Sequence, residues 1–417
     1  MRILLVATGT AGDILPFVGW GRVLQQRGHE VVFLGSANAR SPAEREGFAF
    51  VDLECAGFAA GEPSWPTTTL QQLRKAMREG AGLTRRVYEK IAQWHLPGAT
   101  AVAAQGWLSG ARIAQEHLGV PLASVHLQPL MFGKLHEPGR LPEPLGYWCR
   151  RLRQRLVWKL LDYGVGREVR AFRRSLGLPA MRETMWDWWR SPQLVLGMFP
   201  NWFACPRADW PPQTRLVGFP QFDQLEAGHD FQELEEFLAA GSPPLVFSSP
   251  TLVKDDADYF ATSAEIARRL GRRAILLSWQ RPTMAAALPS GVRHFGFVPL
   301  GRLLPRAAAL VHHGGMGSLS QALAAGIPQL VVPRFLDQPD NARHLERLGV
   351  SCTLRPRQYR AELAADRLAA LLESATVRDR CRHYARLSRG MDAYGKATAA
   401  LEQLLPEAAV SSGVRVR

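Results

Sequence analysis

The chain has 417 residues, of which 47% are hydrophobic and 21% charged, so wholesale disorder is excluded and two sizeable cores are expected. Its five cysteines lie far apart without paired spacing, which argues against a zinc site or a disulfide framework. No run matches a signal peptide or an uninterrupted membrane span, and the expected location is the cytoplasm. The net charge of +14 predicts an anionic partner such as a phosphate or a lipid surface.

The N-terminal segment reads as a strand, a glycine-rich turn, a helix and a second strand. The strand covers residues 3–7, the turn Gly9 to Asp13, the helix 15–26 and the next strand 30–34. This is one parallel βαβ unit, and further apolar runs near 101–104 and 122–127 extend the sheet.

The segment 150–174 combines nine Arg and Lys residues with apolar residues at helical spacing. One interpretation is a solvated helix packed on its own domain, and the other is a basic amphipathic helix in peripheral contact with an anionic membrane surface. Nucleic acid is the least favoured partner, and none is expected.

A second series of alternating strands and helices begins near Pro244, with strands at 244–249, 274–278, 292–298, 308–312 and 329–332. The pattern predicts an α/β protein with two doubly wound sheets. We place an N-terminal domain at 1–220, a C-terminal domain at 221–385, and a helix with a loose tail at 386–417.

The clearest chemical signal is an apolar strand that runs into His313 and a glycine-rich loop, followed by a helix. Glycines let a backbone approach an anion closely, and a helix N-terminus offers unpaired N–H groups and a positive dipole end. The pattern therefore predicts a diphosphate site, although a turn needed only for tight packing would look the same in isolation. The loop residues are Gly314, Gly315, Gly317 and Ser318.

Two further motifs follow this loop: Gly326-Ile327-Pro328, and the run from Asp337 and Gln338 to Asn341-Ala342. Together with the N-terminal turn, they resemble the inverting nucleotide-sugar glycosyltransferases of the GT-B type. The resemblance covers nearly the whole chain, with a poorly matched middle. It implies two facing Rossmann-like domains, sites in the cleft between them, and a C-terminal helix that crosses back to the first domain.

By this resemblance Asp13 is the general base that deprotonates the acceptor hydroxyl, and Thr10, Ala11 and Gly12 lie on the acceptor side. A structural alternative for Asp13 is the N-cap of the helix that follows. The resemblance assigns donor binding to Val298, His313, Gly314, Gly315, Gly317, Ser318, Asp337 and Gln338. Thr251 and Trp279 are added to this set, but Pro250 replaces the glycine that usually precedes such a threonine.

The pattern Asp256-Ala257-Asp258 is interpreted as the acidic start of a helix rather than as a cation site. We therefore expect no metal and no cofactor, since the nucleotide-sugar is itself a substrate.

Within the family, the motifs resemble most the rhamnosyltransferases of rhamnolipid synthesis. This implies dTDP-L-rhamnose as donor and a 3-(3-hydroxyalkanoyloxy)alkanoic acid as acceptor, and the aromatic-rich segment 186–210 fits a hydrophobic acceptor. The alternatives are a UDP-sugar glucosyltransferase acting on a polyketide, sterol or carotenoid, and a non-catalytic partner protein at a membrane surface.

Overall fold

The computed structural model describes residues 1–55, 70–132, 162–163, 166–181, 185–222, 231–248, 257–278, 288–296, 298–334 and 337–405. Among these, seven parallel strands form the first sheet in the order β3-β2-β1-β4-β5-β6-β7. They are β1 (Arg2–Ala7), β2 (Glu30–Gly35), β3 (Ala49–Asp52), β4 (Thr100–Gln105), β5 (Leu122–His126), β6 (Leu194–Gly197) and β7 (Thr214–Leu216).

Helices cover both faces of this sheet. Because side chains alternate along a strand, Ile3 and Leu5 of β1 enter one hydrophobic core and Leu4 and Val6 enter the other. The described helices are α1 (Ala11–Gln26), α2 (Arg40–Arg45), α3 (Leu70–Trp94), α4 (Ser109–Leu118), α5 (166–175) and α6 (Met185–Trp188).

The second sheet, also parallel, has the order β10-β9-β8-β11-β12-β13 in the described part of the chain. Its strands are β8 (Leu245–Ser248), β9 (Ala274–Leu277), β10 (Val292–Phe295), β11 (Ala309–His312), β12 (Gln329–Val331) and β13 (Ser351–Thr353). Its helices are α7 (Gln232–Ala239), α8 (Ala257–Arg269), α9 (Leu300–Leu303), α10 (Met316–Ala325), α11 (Gln338–Leu348), α12 (Ala361–Glu373) and α13 (Ala375–Arg389).

Both sheets reverse their strand order at one point, between β1 and β4 in the first and between β8 and β11 in the second. Ligands of doubly wound sheets bind at the carboxyl ends of the strands beside such a point. Asp13 follows β1 and His313 follows β11, so the fold brings both predicted motifs to these places.

The C-terminal helix α14 (Ala393–Glu402) packs against α1 of the first domain, as the family resemblance implied. Trp20 Nε1 donates a hydrogen bond of 3.0 Å to Thr398 Oγ1, and Arg27 pairs with Glu402 at 3.1 Å. Helix α13 instead packs on α10 of the second domain and ends at Arg389, beyond the predicted division at 385.

Helix α1 begins at Ala11, four residues before the predicted start. Pro16 favours a helix start close to itself, but Thr10 is the N-cap residue and Asp13 occupies the third helical position. The N-cap residue is therefore Thr10, and the prediction that Asp13 is the N-cap is wrong.

The aromatic residues expected to line an acceptor site fill a hydrophobic core instead. Phe199, Phe203 and Trp210 are at most 8% exposed and pack in one cluster with Leu319 and Leu345 of the second domain. The prediction of an acceptor surface from these three side chains is wrong, because they close the junction between the domains.

The basic segment is described only in part, from 162 to 163 and from 166 onward. In that part Val169 is fully buried, Arg173 pairs with Glu116 at 2.8 Å, and Arg170 pairs with Asp162 at 2.8 Å. These contacts agree with the interpretation of a helix packed on its own domain. Across the described ranges, no helix is both long and apolar enough to traverse a bilayer.

Candidate active site

Asp13 lies in the first turn of α1, directly after the carboxyl end of β1. Its Oδ2 accepts hydrogen bonds from the Thr10 backbone N–H at 2.9 Å and from the Thr10 hydroxyl at 2.8 Å. Burial raises the pKa of Asp13 above its ordinary value, and the two bonds from Thr10 offset part of this effect. A carboxylate with a raised pKa is a stronger base than a free aspartate.

The turn before Asp13 is fixed by side chains that sequence reasoning did not single out. Gln105, at the end of β4, accepts from the Thr8 N–H at 2.9 Å, and Asn38 donates to the Gly9 carbonyl at 2.8 Å. Gly9 has φ +124°, and a Cβ there would lie 2.6 Å from Asp13 Oδ2. Glycine is thus required at this position for the carboxylate to lie against the turn.

The second half of the site is the loop between β11 and α10. The first helical hydrogen bond of α10 runs from Leu319 N–H to Gly315 O, so the N–H groups of Met316, Gly317 and Ser318 have no acceptor within the helix. Gly317 is exposed, and a Cβ built there meets no atom within 4 Å. This open helix start can receive an anion.

Gly314 has a different role from the predicted diphosphate contact. Its N–H donates to His312 Nδ1 at 3.1 Å and its carbonyl accepts from Asn341 Nδ2 at 2.9 Å, so both backbone groups bind within the protein. Its φ of +94° makes it a conformational residue that turns the chain from β11 into the loop.

His312, absent from the predicted set, is 1% exposed and hydrogen-bonded on both sides of its ring. Because Nδ1 accepts from Gly314, Nε2 carries the proton and donates to Gln329 Oε1 at 3.0 Å. Burial lowers the pKa of His312 to about 3, so the ring is neutral at physiological pH.

His313 lies against Gly315, where a Cβ would come within 2.6 Å of its Nε2. Its Nδ1 is buried and has no hydrogen-bond partner among the described residues. Burial, helped by the nearby guanidinium of Arg334, lowers the pKa of His313 to about 4. A neutral imidazole and an exposed arginine, which sequence reasoning missed, therefore lie beside the open helix start.

Asp337 and Gln338 begin helix α11 next to this loop. Asp337 Oδ2 accepts from Asn341 Nδ2 at 2.7 Å, and Gln338 Oε1 accepts from the Arg334 N–H at 2.9 Å. Burial is the main cause that raises the pKa of Asp337 to about 6, and the charge of Asp13 contributes. The charges of the two predicted aspartates, which are distant in sequence, therefore interact in the fold.

The other predicted residues are distributed as follows. Val298 lies after β10 and is 6% exposed, with its side chain packed in the core. Ala11 and Gly12 form the start of α1 beside Asp13. Thr251, Pro250 and Trp279 lie outside the described residues.

Asp258 is in the first turn of α8, as expected for a residue that complements the helix dipole, whereas Asp256 lies outside the described residues. Over the residues with described positions, no group of three or more His, Cys, Asp or Glu side chains is arranged to hold a metal ion.

Two family profiles match the chain. The glycosyltransferase family 28 N-terminal domain matches residues 3–131, and the erythromycin biosynthesis protein CIII-like C-terminal domain matches residues 273–393. The O-mycaminosyltylonolide 6-deoxyallosyltransferase of Streptomyces fradiae is 31% identical over 414 residues, which cover 90% of this chain and 91% of that protein. The chain belongs to the GT-B glycosyltransferases.

Solved glycosyltransferases have the same fold. The spinosyn rhamnosyltransferase SpnG, complexed with spinosyn aglycone, superposes with a TM-score of 0.69 at 19% identity, covering 96% of this chain and 100% of that one. The Streptomyces glycosyltransferase SsfS6, complexed with thymidine diphosphate, gives a TM-score of 0.63 at 18% identity, covering 97% and 99%. The predicted fold class is confirmed by these matches.

Proposed function

We propose that this glycosyltransferase transfers a sugar from a nucleoside diphosphate to a hydroxyl group with inversion at the anomeric carbon. The observation that carries the proposal is that Asp13 follows β1 and the open N-terminus of α10 follows β11, each at the point where its sheet reverses strand order. In this proposal Asp13 deprotonates the acceptor hydroxyl, and Asp337 contacts the sugar. The Asp337 carboxylate shares the amide of Asn341 with Gly314 of the loop before α10.

In the proposed reaction, Asp13 takes the proton of the acceptor hydroxyl. The oxygen of that hydroxyl forms a bond to the anomeric carbon at the same time. The bond from that carbon to the diphosphate oxygen breaks, and the leaving diphosphate gains negative charge. The N–H groups at the start of α10 and the guanidinium of Arg334 stabilise that charge electrostatically. The reaction proposed here is metal-independent.

For the donor we propose dTDP-L-rhamnose. The motif resemblance supports it, and the relative from Streptomyces fradiae and SpnG are both named for transfer of a 6-deoxyhexose. The thymidine diphosphate in the SsfS6 structure supports the nucleotide.

For the acceptor we propose a 3-(3-hydroxyalkanoyloxy)alkanoic acid, which joins an apolar body to a carboxylate suited to a basic protein. The names of the same two relatives favour a second candidate, a polyketide-type aglycone. A non-catalytic role is disfavoured, because Asp13 and the loop before α10 are intact. We further propose a cytoplasmic enzyme whose membrane contact, through 150–174, uses the exposed Arg167 and Arg174.

The first test is thermal unfolding with dTDP, UDP, GDP or ADP in the presence of EDTA. A ligand that binds only the folded state stabilises it by about 2.7 kcal/mol at a hundredfold excess over its Kd. We expect the largest shift with dTDP. No shift with any of the four nucleotides would refute the diphosphate site and the proposed transfer together.

The second test incubates dTDP-L-rhamnose with the hydroxyalkanoyloxy acid or with a macrolactone aglycone and detects the glycoside by mass spectrometry. Product from the lipid acid alone supports the first acceptor. Product from the aglycone alone replaces it with the second.

A further inference from the structure

Asn341 is fully buried on helix α11, between the two parts of the donor site. Its Nδ2 donates to the Gly314 carbonyl at 2.9 Å and to Asp337 Oδ2 at 2.7 Å. Both neighbours are acceptors, so the amide nitrogen must face them, and its two hydrogens are both used.

The contact on the Gly314 side continues into the second sheet. Gly314 N–H donates to His312, and His312 donates to Gln329, which is 0% exposed. A buried chain of hydrogen bonds therefore runs from β12 through the glycine loop and Asn341 to Asp337. The loop that precedes α10 and the carboxylate that begins α11 are held by one side chain.

We propose that Asn341 is a positioning residue that fixes the diphosphate loop and the Asp337 carboxylate as one unit, so that both ends of the donor are bound in a single geometry. The inference rests on the proposed function and deepens it. Asn341 acts through Gly314 and Asp337.

The side-chain chemistry at position 341 is specific. A leucine has the same branching but is larger and has no donor, so it leaves a buried carbonyl and a buried carboxylate unpaired. An aspartate would place a second carboxylate beside Asp337. A serine has one donor and a shorter side chain, and it cannot bridge both acceptors.

The ionisation of Asp337 reports on this contact directly. The groups that act on Asp337 are Asp13 from α1 and Asp340 from its own helix, which both raise its pKa, and Asn341, which lowers it. Loss of the Asn341 hydrogen bond therefore raises the pKa of Asp337 further, whereas a general loss of packing that admits water would lower it.

The test compares the full-length wild type with Asn341→Leu and Asn341→Ser. The Asp337 carboxyl is titrated by carbon-13 NMR without ligand, and binding of dTDP and dTDP-L-rhamnose is measured by calorimetry. Thr398→Val is the matched control, because it removes another buried hydrogen bond, that of Trp20, away from the site.

We expect the Asp337 titration to move to higher pH in both Asn341 variants and to stay unchanged in Thr398→Val. Affinity should fall about tenfold or more for dTDP-L-rhamnose, and also for dTDP alone because the loop loses its tether. In an Asp337→Asn background, Asn341→Leu should weaken dTDP-L-rhamnose binding less than it does in the wild type.

An unchanged Asp337 titration would overturn the inference, as would dTDP affinity equal to that of the wild type. These results leave the proposed function intact as long as the wild type binds the nucleotide. A wild type that binds no nucleoside diphosphate refutes the proposed function, and the inference falls with it.

Discussion

Asp13 on α1 and Asp337 at the start of α11 come from different domains, and the negative charge of the first contributes to raising the pKa of the second. Two carboxylates that share a site resist simultaneous ionisation. The proposed base and the proposed sugar contact therefore interact electrostatically although they belong to different domains.

Replacement of Asp13, the proposed base, should lower kcat without changing nucleotide affinity. For Asp13→Asn we expect kcat to fall by about a hundredfold or more, because a positioned general base contributes on that order. The affinity for dTDP should stay near that of the wild type. Steady-state kinetics and calorimetry measure the two quantities.

The same variant should lower the pKa of Asp337, since it removes a like charge. Asp392→Asn is the matched control, because Asp392 also sits at a helix start, where it accepts from Gly395 N–H at 2.8 Å. Asparagine is as good an N-cap residue as aspartate, so this control should change stability little and leave kcat unchanged. Full activity of Asp13→Asn would remove Asp13 from the mechanism.

Gly317→Ala should raise stability and lower affinity at once. A Cβ at Gly317 meets no protein atom, and alanine stabilises a helix by about 0.5 kcal/mol or more relative to glycine. The added methyl would occupy the space proposed for the diphosphate, and we expect about a tenfold loss in dTDP affinity. Urea unfolding and calorimetry provide the measurements.

Gly82→Ala is the corresponding control on α3, where the new Cβ would meet only the flexible end of Arg86 at 3.3 Å. It should leave dTDP binding unaltered. If Gly317→Ala binds dTDP as well as the wild type does, the diphosphate does not lie at the start of α10.

Three histidines with lowered pKa values should make the protein sensitive to acid. Burial lowers the pKa of His126 and of His312 to about 3 and that of His313 to about 4, from an ordinary value of 6.5. Below pH 6.5 the unfolded chain takes up protons that the folded protein does not, so stability falls as the pH falls from 6.5 toward 4. The loss is on the order of 2 kcal/mol per histidine between pH 7 and pH 5.

Asp337 has the opposite effect on stability. Its raised pKa lets the folded protein bind a proton between about pH 6 and pH 3.8, the ordinary pKa of the group, so this carboxyl stabilises the fold as the pH falls. Urea unfolding at pH 7 and pH 5 should show a smaller loss for His126→Gln than for the wild type. His383→Gln, on the exposed face of α13, should behave like the wild type. Equal losses in all three proteins would contradict the assignment to His126.

Trp20→Phe tests the contact between α1 and α14. The change removes the 3.0 Å hydrogen bond to Thr398, and we expect a loss of about 1 kcal/mol or more in the free energy of unfolding. Trp107→Phe is the control, because Trp107 is 39% exposed. Urea midpoints that fall equally in both variants would show that the bond to Thr398 adds nothing.

The fold class followed from the alternation of apolar strands with helices and from the glycine turns, because these depend on local sequence. Two other elements were not predicted. Helix α3 was missed although its apolar residues recur at helical spacing, and β13 has only three residues, Ser351 to Thr353. The start of α1 was predicted too late, because Ala11 to Asp13 were assigned to the glycine-rich turn, whereas Thr10 caps a helix that already contains them.

The site was predictable where a motif is continuous in sequence, as at His313 to Ser318. The side chains that support the two motifs were not predictable, because they come from separate elements. Gln105 bonds to the turn before Asp13, and Asn341 and Arg334 act on the loop before α10. The prediction of an acceptor site from the aromatic segment 186–210 was wrong for the same reason. Composition records that Phe199 and Trp210 are apolar, but it does not say whether a ligand or the second domain covers them.

The docking of α14 on α1 also orders events during synthesis. Helix α1, which carries Asp13, is made before the donor-binding half, whereas Thr398, the partner of its Trp20, is made after that half. Until then the nascent first domain has a face of α1 without its native cover. Helix α1 thus acquires its native packing only after the donor-binding half has been synthesised.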